Sequence, residues 1–454
     1  MEIIYLKFTN KLGVFMYHDL TKGSISRSLL LFALPMIAGN LLQQFYNIAD
    51  TLIVGRVLGS NALAAVGSAY TLMTFLTSIF LGLSMGSGAL FSIYQGRQDT
   101  KSLKSSIVHS FVLITVVTLI LNGLVYAFME PILSFLKVPE DVISGMRAYL
   151  YVIFAGLIAT SLYNFFSCLL RALGNSTVPL VFLAISAILN IALDLLFVAV
   201  FSFGIRGAAF ATIIAQYVSG IGILFYVLIK CPQFLPSKAD LHFRSDILKE
   251  ILNLSSLTCI QQSVMNFGIL MVQGLVNSFG SVIMAAFAAA VKIDTFAYLP
   301  VQDFGNAFST FVAQNYGAGN YDRIKKGTKQ AFAISIVFSL IISGLVCLFA
   351  PWLMQLFISC SQTDVISAGV LYLRVEGAFY CGIGCLFLLY GYYRAIKKAG
   401  MSVVLTVLSL GTRVLLAYIL SSQIGVIGIW MAIPIGWAIA DVFGLIRMRS
   451  TFST

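Results

Sequence analysis

The sequence places amide and acidic residues inside otherwise apolar segments, where they could bind a proton or a small cation. In the first apolar segment they recur at spacings of three, four and three residues and so share one helical face: Asn40, Gln43, Asn47 and Asp50. A later segment carries Asn190 and Asp194 one turn apart. A charged residue at a membrane helix centre costs ~2.5–3.5 kcal/mol on insertion scales and is usually functional. The alternative for the amides is that they only tie helices together.

The two acids lie at similar depth in their segments, near the same end. Asp194 lies about six residues before the outer end of its segment and Asp50 about five before the end of its own. Tyr46 lies one turn deeper than Asp50, and Tyr149 and Thr212, near the outer ends of two further segments, can join them. Two neighbouring carboxylates cannot both be ionised cheaply at low dielectric, so the pair predicts a site for H⁺ or Na⁺. The residues leave open which of the two ions binds.

The elements that position these residues are long apolar segments, which predict an all-α membrane protein. Of 454 residues 59% are hydrophobic and 10% are charged, with mean hydropathy +0.95, and a helix needs ~20 apolar residues to cross a bilayer. We expect twelve transmembrane helices in two six-helix lobes related by pseudo-two-fold symmetry along the membrane normal. The segments are 29–54, 62–94, 106–128, 146–170, 178–200, 207–229, 251–277, 282–313, 331–351, 370–393, 401–420 and 427–446.

The basic residues predict the orientation. Of the 28 Lys and Arg residues, twenty-one fall on the side of the termini and three inside segments. The remaining four lie on the opposite side: Arg56, Lys137, Arg147 and Arg206. This bias predicts cytoplasmic termini. The predicted order is a leader (1–28), an N-lobe (29–230), a linker (231–250), a C-lobe (251–449) and a tail (450–454). Met1 and Met16 are alternative starts of translation.

The two halves repeat, which provides an internal control. Ser60–Val66 aligns with Ser281–Phe287 at an offset of 221 residues, and Arg171-Ala172 aligns with Arg394-Ala395 at 223. Parallel repeats of this kind predict two lobes with a cavity between them. At the positions of Asp50, Asp194, Tyr46 and Asn190 the second copy has Met271, Ala417, Phe267 and Arg413. We therefore place the coupling-ion chemistry in the first lobe.

The second lobe has polar residues of its own. They include Gln261, Gln262, Asn266, Lys292, Asp294, Arg374 and Glu376. We interpret Lys292–Asp294 and Arg374–Glu376 as structural ion pairs, with a second ion site or the lining of a substrate cavity as the alternatives. Together with Asn40, Gln43 and Asn47, the candidate cavity residues are Gln261, Gln262, Asn266, Lys292, Asp294 and Glu376.

Other classes of function lack their motifs in this sequence. There is no HExxH, no GxxxxGK[ST] and no GxSxG in a strand–helix context. The seven cysteines form no CxxC pair. We expect no enzyme activity, no cofactor and no metal beyond a possible Na⁺. The net charge of +11 comes from the basic residues of the loops. We therefore expect membrane lipid and small molecules as partners, not nucleic acid. We also expect a monomer.

The segment 34–66, LPMIAGNLLQQFYNIADTLIVGRVLGSNALAAV, resembles the first-helix signature of the multidrug and toxic compound extrusion (MATE) family. Arg171-Ala172-Leu173-Gly174 and the Asn190/Asp194 pair also fit, and the likeness covers about residues 24–449. Within the family the chain resembles the DinF-like branch. That resemblance implies a first-lobe ion network at Tyr46, Asp50, Tyr149, Asn164, Asn190, Asp194 and Thr212. It also implies a helix-bending role for Pro35, where the missing backbone N–H favours a bend.

The resemblance implies a function as well. We expect an antiporter in the plasma (inner) membrane of a prokaryote. It would export organic cations or amphipathic drugs in exchange for H⁺ or Na⁺, by alternating access of the two lobes. The rival is a flippase for lipids or lipid-linked oligosaccharides of the same superfamily.

Overall fold

The computed structural model describes residues 18–135, 140–236 and 242–453. Within these ranges the chain is helical and contains no strand. The helices are α1 Ile25–Leu58, α2 Ser60–Gly96, α3 Thr100–Ala127, α4 Met129–Phe135, α5 Glu140–Ile153, α6 Gly156–Ala172, α7 Thr177–Asp194, α8 Gly204–Lys230, α9 Ser245–Asn277, α10 Ser281–Gly317, α11 Tyr321–Gln355, α12 Thr363–Gly377, α13 Tyr380–Ala395, α14 Ala399–Ile424 and α15 Val426–Ser453. Met16 and Lys137, used above for the start and the orientation, lie outside the described residues.

The helices confirm the predicted class of membrane protein. Ten of the described helices are long and apolar enough to cross a membrane. Two further pairs are bent spans: α5 meets α6 at 47° and α12 meets α13 at 50°. Counting each bent pair as one span gives the predicted twelve. The breaks themselves were not predicted, because both predicted segments, 146–170 and 370–393, are apolar across them.

The chain forms two compact units. Among the described residues, unit 1 comprises 18–19 and those of Leu34–Cys259, and unit 2 comprises Leu20–Ala33 and 260–453. Both α1 and α9 therefore contribute to each unit. Within α1 the division falls between Ala33 and Leu34, one residue before Pro35, and the helix continues through this proline to Leu58.

The internal repeat extends to the backbone conformation. Gly59 and Gly280, 221 residues apart, precede α2 and α10 with φ of 87° and 92°. After the same two helices, Gln98 and Gly319 both have positive φ, 58° and 73°. At each of these ends the chain makes the paired hydrogen bonds of a Schellman cap: Gln98 N–H to Gln95 and Asp99 N–H to Tyr94 in the first copy. The two halves thus share helix ends as well as sequence.

Helix α2 is the most enclosed span, with 78% of its membrane window buried. A Cβ added at Gly86 would lie 2.5 Å from the Cα of Ser255 on the first part of α9, so only glycine allows this approach. The Ser87 and Ser255 hydroxyls are 3.0 Å apart beside it. Helix α2 also packs against α5, which carries Tyr149, and against α6.

Candidate functional site

Helix α1 carries the first part of the candidate site. Tyr46 and Asp50, one turn apart, are both half-buried, and the Tyr46 side chain hydrogen-bonds with Gln43. On other faces of the helix Phe45 and Leu52 are 60% and 52% exposed, as expected for side chains in contact with lipid. Asn40 and Asn47 are half-buried. The structure therefore places the predicted polar face of α1 against protein.

Helix α7 supplies the second acid at its last residue. Asp194 is fully buried, and six residues of π-helix, Leu195–Val200, follow it. Asn190, also buried, donates from Nδ2 to Thr212 Oγ1 of α8 at 3.4 Å. A π-helical turn widens the helix and leaves carbonyl groups without regular partners, which is frequent at functional sites. The acid thus lies where α7 changes its geometry.

The bent pair α5–α6 positions Tyr149. Three side-chain donors satisfy the carbonyls around the break: Asn122 Nδ2 to Phe154 O at 2.6 Å, Tyr217 Oη to Ala155 O at 2.9 Å and Tyr126 Oη to Tyr151 O at 2.9 Å. The Tyr149 side chain is buried and hydrogen-bonds with Thr212. It also interacts electrostatically with Asp50, Asp194 and Tyr46. The break therefore aims this tyrosine at the two acids.

The two acids meet. The Asp50 and Asp194 side chains are close enough to hydrogen-bond to each other when one of them carries a proton. Both oxygens of Asp194, Oδ1 of Asp50 and Oδ1 of Asn190 are buried and receive no hydrogen bond from any other described residue. Buried acceptors are normally satisfied. Buried oxygen acceptors without donors on two neighbouring acids can be satisfied by a proton together with water, or by a small hard cation.

One member of the expected network lies apart from the acids. Asn164, on α6, donates from Nδ2 to Thr160 O of its own helix at 2.9 Å and makes no hydrogen bond to either carboxyl group. The preceding residue, Tyr163, lies within electrostatic range of Tyr46 and donates to Pro179 O at 2.9 Å. The resemblance pointed to Asn164. Helical spacing within the sequence could not choose between two adjacent polar residues.

Unit 2 contains a second buried acid pair, in which the expected ion pairs are not formed. Asp294 accepts hydrogen bonds from Tyr372 Oη at 2.6 Å and from Tyr380 Oη, and Glu376 lies beside it. Lys292 and Arg374 are exposed and form no ion pair with any residue that the structure describes; the Lys292 ammonium lies 6.0 Å from the Phe357 ring centre. Residues two apart on a helix point in different directions. The interpretation of Lys292–Asp294 and Arg374–Glu376 as ion pairs was therefore wrong.

The charge environments of the two acid pairs differ. Arg413, which stands at the position of Asn190 in the repeat, acts electrostatically on both Asp294 and Glu376. In unit 2 a resident cation therefore acts on both acids and two tyrosine hydroxyls donate to Asp294, while Oε2 of Glu376 is buried without a described hydrogen-bond partner. Asp50 and Asp194 have no described cationic side chain among the groups that act on them. The uncompensated pair is the one in unit 1.

The predicted amides of α9 are positioned in unit 2. Gln261 and Gln262 are buried and Asn266 is half-buried. That these amides, or the amides of α1, contact a substrate stays a prediction.

Comparison with known proteins gives the family. The MatE family matches the chain at residues 35–196 and 257–419, one match in each half. A relative named "Probable multidrug resistance protein YpnP", from Bacillus subtilis (strain 168), is 32% identical over 392 residues, 86% of this chain and 87% of the relative. One named "Probable multidrug resistance protein NorM", from Thermotoga maritima, is 26% identical over 425 residues, 92% of this chain and 90% of the relative.

The solved structures agree in fold. A MOP superfamily transporter from Pyrococcus furiosus has a TM-score of 0.91 and 23% identity, over 96% of this chain and 97% of the other. The likeness confirms the two-lobe transporter fold. The comparisons do not separate the branches of the family, so the DinF-like placement stays a prediction. With a family match in each half and a relative above 30% identity over most of the chain, this protein belongs to the MATE family of multidrug efflux transporters.

Proposed function

We propose that the protein is a secondary antiporter that exports organic-cation or amphipathic drugs in exchange for H⁺ or Na⁺. The observation that carries this proposal is the Asp50–Asp194 pair, which is enclosed in unit 1 with oxygen acceptors that no neighbour satisfies. The names of relatives such as YpnP support the multidrug part of the proposal. The uncompensated acids support the coupling part.

In this mechanism the two acids share one coupling cation. With the cation bound, the repulsion between Asp50 and Asp194 is relieved and α1 can pack closely against α7. When the cation leaves, two negative charges face each other at low dielectric, and α1 moves or an organic cation takes over the charge. Tyr149, Thr212 and Asn190 orient the carboxyl groups. Pro35, next to the division between the units within α1, is the proposed bending point.

The energy comes from an ion gradient in this proposal. One charge that moves across 100 mV releases ~2.3 kcal/mol. We propose a plasma-membrane location in a prokaryote with cytoplasmic termini, on the distribution of basic residues described above. Alternating access of the two lobes is the proposed cycle.

The test is drug efflux from proteoliposomes under a pH gradient alone and then under a Na⁺ gradient alone. We expect one gradient to drive efflux, and we expect Asp50→Asn to abolish it with normal expression. Glu130→Gln serves as the control, because Glu130 is an exposed acid that is paired with Arg147 at 2.7 Å, outside the site. Efflux by Asp50→Asn at the wild-type rate would refute the assignment.

The rival function is lipid flipping. The relatives' names do not favour it. Liposomes that contain labelled phospholipid distinguish the two functions: the antiporter moves drug with a gradient and leaves the lipid distribution unchanged.

A further inference from the structure

Arg374 is an exposed cation within a membrane span. It follows Thr363, the first residue of α12, by eleven residues, or about 16 Å along the helix at 1.5 Å per residue. Helices α12 and α13, with 15 and 16 residues, measure about 46 Å along their axes. This exceeds the ~30 Å hydrocarbon core, so the start of α12 projects beyond the core. Arg374 lies in the part of the core nearer the start of α12, which we call the upper part. An intramembrane arginine needs an anion or water, and no described carboxylate pairs with Arg374.

Arg374 lines a groove that belongs entirely to unit 2. The groove has a volume of about 500 Å³ and lies between the end of α11 and the face of α12. Thr363, Ser367, Val370 and Arg374 recur on that face at spacings of four, three and four residues. Pro351 and Gln355, also one turn apart, form the α11 wall. Hydroxyl and amide groups therefore lie at the upper end of the groove and apolar side chains along its length.

The direction of the arginine side chain brings its charge toward the upper end. Side chains on a helix point back toward its N-terminus, here toward Ser367 and Thr363. Trp352, which is 61% exposed beside Pro351, marks the level of the membrane–water interface, where tryptophan is enriched. The guanidinium thus reaches toward the depth of lipid headgroups, with Val370 and Leu371 at the level of acyl chains.

We propose that the α11–α12 groove binds an anionic phospholipid, with its phosphate on Arg374 and its acyl chains against Val370 and Leu371. A guanidinium binds a phosphate oxygen pair with two parallel hydrogen bonds. Thr363 can donate to a remaining headgroup oxygen, whereas the Ser367 hydroxyl already donates to Asp364 O at 2.9 Å. This site is separate from the acid pairs of both units, and the proposal does not depend on the direction or the ion of transport.

The test is native mass spectrometry of the delipidated, full-length protein in detergent. Phosphatidylglycerol is compared with a diacylglycerol of the same chains and with inorganic phosphate. We expect wild-type protein to bind phosphatidylglycerol. We expect the affinity of Arg374→Gln for this lipid to be at least about tenfold lower. Diacylglycerol and inorganic phosphate should bind weakly and without dependence on Arg374. Binding of inorganic phosphate as tight as that of the lipid would overturn the assignment to phospholipid.

Lys292→Gln is the matched control. Lys292 is also an exposed cation of unit 2, and it follows the start of α10 by eleven residues, but it does not line the groove. We expect this variant to bind phosphatidylglycerol as the wild type does. Equal loss in both variants, or unchanged binding by Arg374→Gln, would overturn the proposal. If Arg374→Gln is not monodisperse, Arg374→Lys carries the test: it keeps the charge but loses the two-bond geometry, so binding as tight as wild type would contradict the assignment.

Discussion

At the scale of residues, the function depends on which buried acids have partners and which do not. Asp294 receives two tyrosine hydroxyls and has Arg413 nearby, whereas no described donor reaches either oxygen of Asp194. A satisfied acid contributes to the structure of unit 2. An unsatisfied one needs a cation from outside, and this difference is the reason for placing the coupling site in unit 1.

Two aligned tyrosines test this difference. Tyr149 and Tyr372 occupy matching positions of the repeat: Tyr149 interacts electrostatically with Asp50 and Asp194, and Tyr372 donates to Asp294. Loss of a buried hydroxyl that serves an acid costs about 1–3 kcal/mol. We expect Tyr149→Phe to weaken the apparent affinity for the coupling cation about 5- to 100-fold, measured as the pH or Na⁺ dependence of drug efflux.

Tyr372→Phe is the matched variant. It should lower the midpoint of thermal unfolding in detergent, because Asp294 loses a donor, and leave the cation dependence unchanged. A shift in cation dependence with Tyr372→Phe and none with Tyr149→Phe would place the coupling site in unit 2.

At the scale of elements, the second residue after α2 and the second residue after α10 both adopt a left-handed backbone conformation. Gln98 occupies the left-handed position after α2, where the second copy has Gly319 after α10. A side chain in this conformation costs roughly 1–2 kcal/mol relative to the right-handed region, and glycine avoids that cost. We expect Gln98→Gly to raise the free energy of unfolding by about 1 kcal/mol.

The measurement is thermal unfolding of purified protein in detergent. Gln95→Gly, three residues earlier in the last turn of α2, is the control, and it should not raise stability, because the Gln95 backbone is already right-handed helical. A lower unfolding midpoint for Gln98→Gly would show that its side chain contributes more than the backbone strain costs.

Elements also show what the sequence could and could not predict. Spacing along single helices was sufficient to find the polar face of α1 and the Asn190/Asp194 face of α7, because side-chain direction repeats every 3.6 residues. The breaks at α5–α6 and α12–α13 have no signal in apolarity, since donors from other helices, such as Asn122 and Tyr217, satisfy their carbonyls. The apolar composition of Leu195–Val200 likewise does not predict the π-helical turn after Asp194.

The incorrect ion pairs had a similar cause. Opposite charges two residues apart suggested compensation, but the helix turns Lys292 and Arg374 outward while Asp294 and Glu376 are buried. The partners of Asp294 come from α12 and α13, some 80 residues later in the chain. Sequence spacing within one segment cannot reveal such partners.

At the scale of the whole molecule, the orientation in the membrane can be tested with a native residue. Among the cysteines, all of which the structure describes, Cys360 alone is exposed, and it lies between α11 and α12 on the side opposite the termini. With cytoplasmic termini, Cys360 faces outward. We expect a membrane-impermeant maleimide to label it in intact cells and Cys360→Ser to abolish the labelling. Labelling that requires permeabilised cells would reverse the orientation.

The whole molecule is also asymmetric in chemistry although symmetric in fold. Both units have matching helix ends and a tyrosine aimed at acids, yet Asn190 in one is Arg413 in the other. In our proposal Arg413, a fixed cation near Asp294 and Glu376, makes the acid pair of unit 2 structural, whereas the pair of unit 1 binds the coupling ion.

Infrared difference spectroscopy of the purified transporter tests the central claim, that Asp50 and Asp194 share one cation, most directly. Wild-type protein should show the band of a protonated carboxyl group that disappears when drug is added or when Na⁺ competes. Asp50→Asn and Asp194→Asn should each remove this drug-sensitive band, and Asp294→Asn should retain it. A band that persists in both unit 1 variants and disappears in Asp294→Asn would contradict the account.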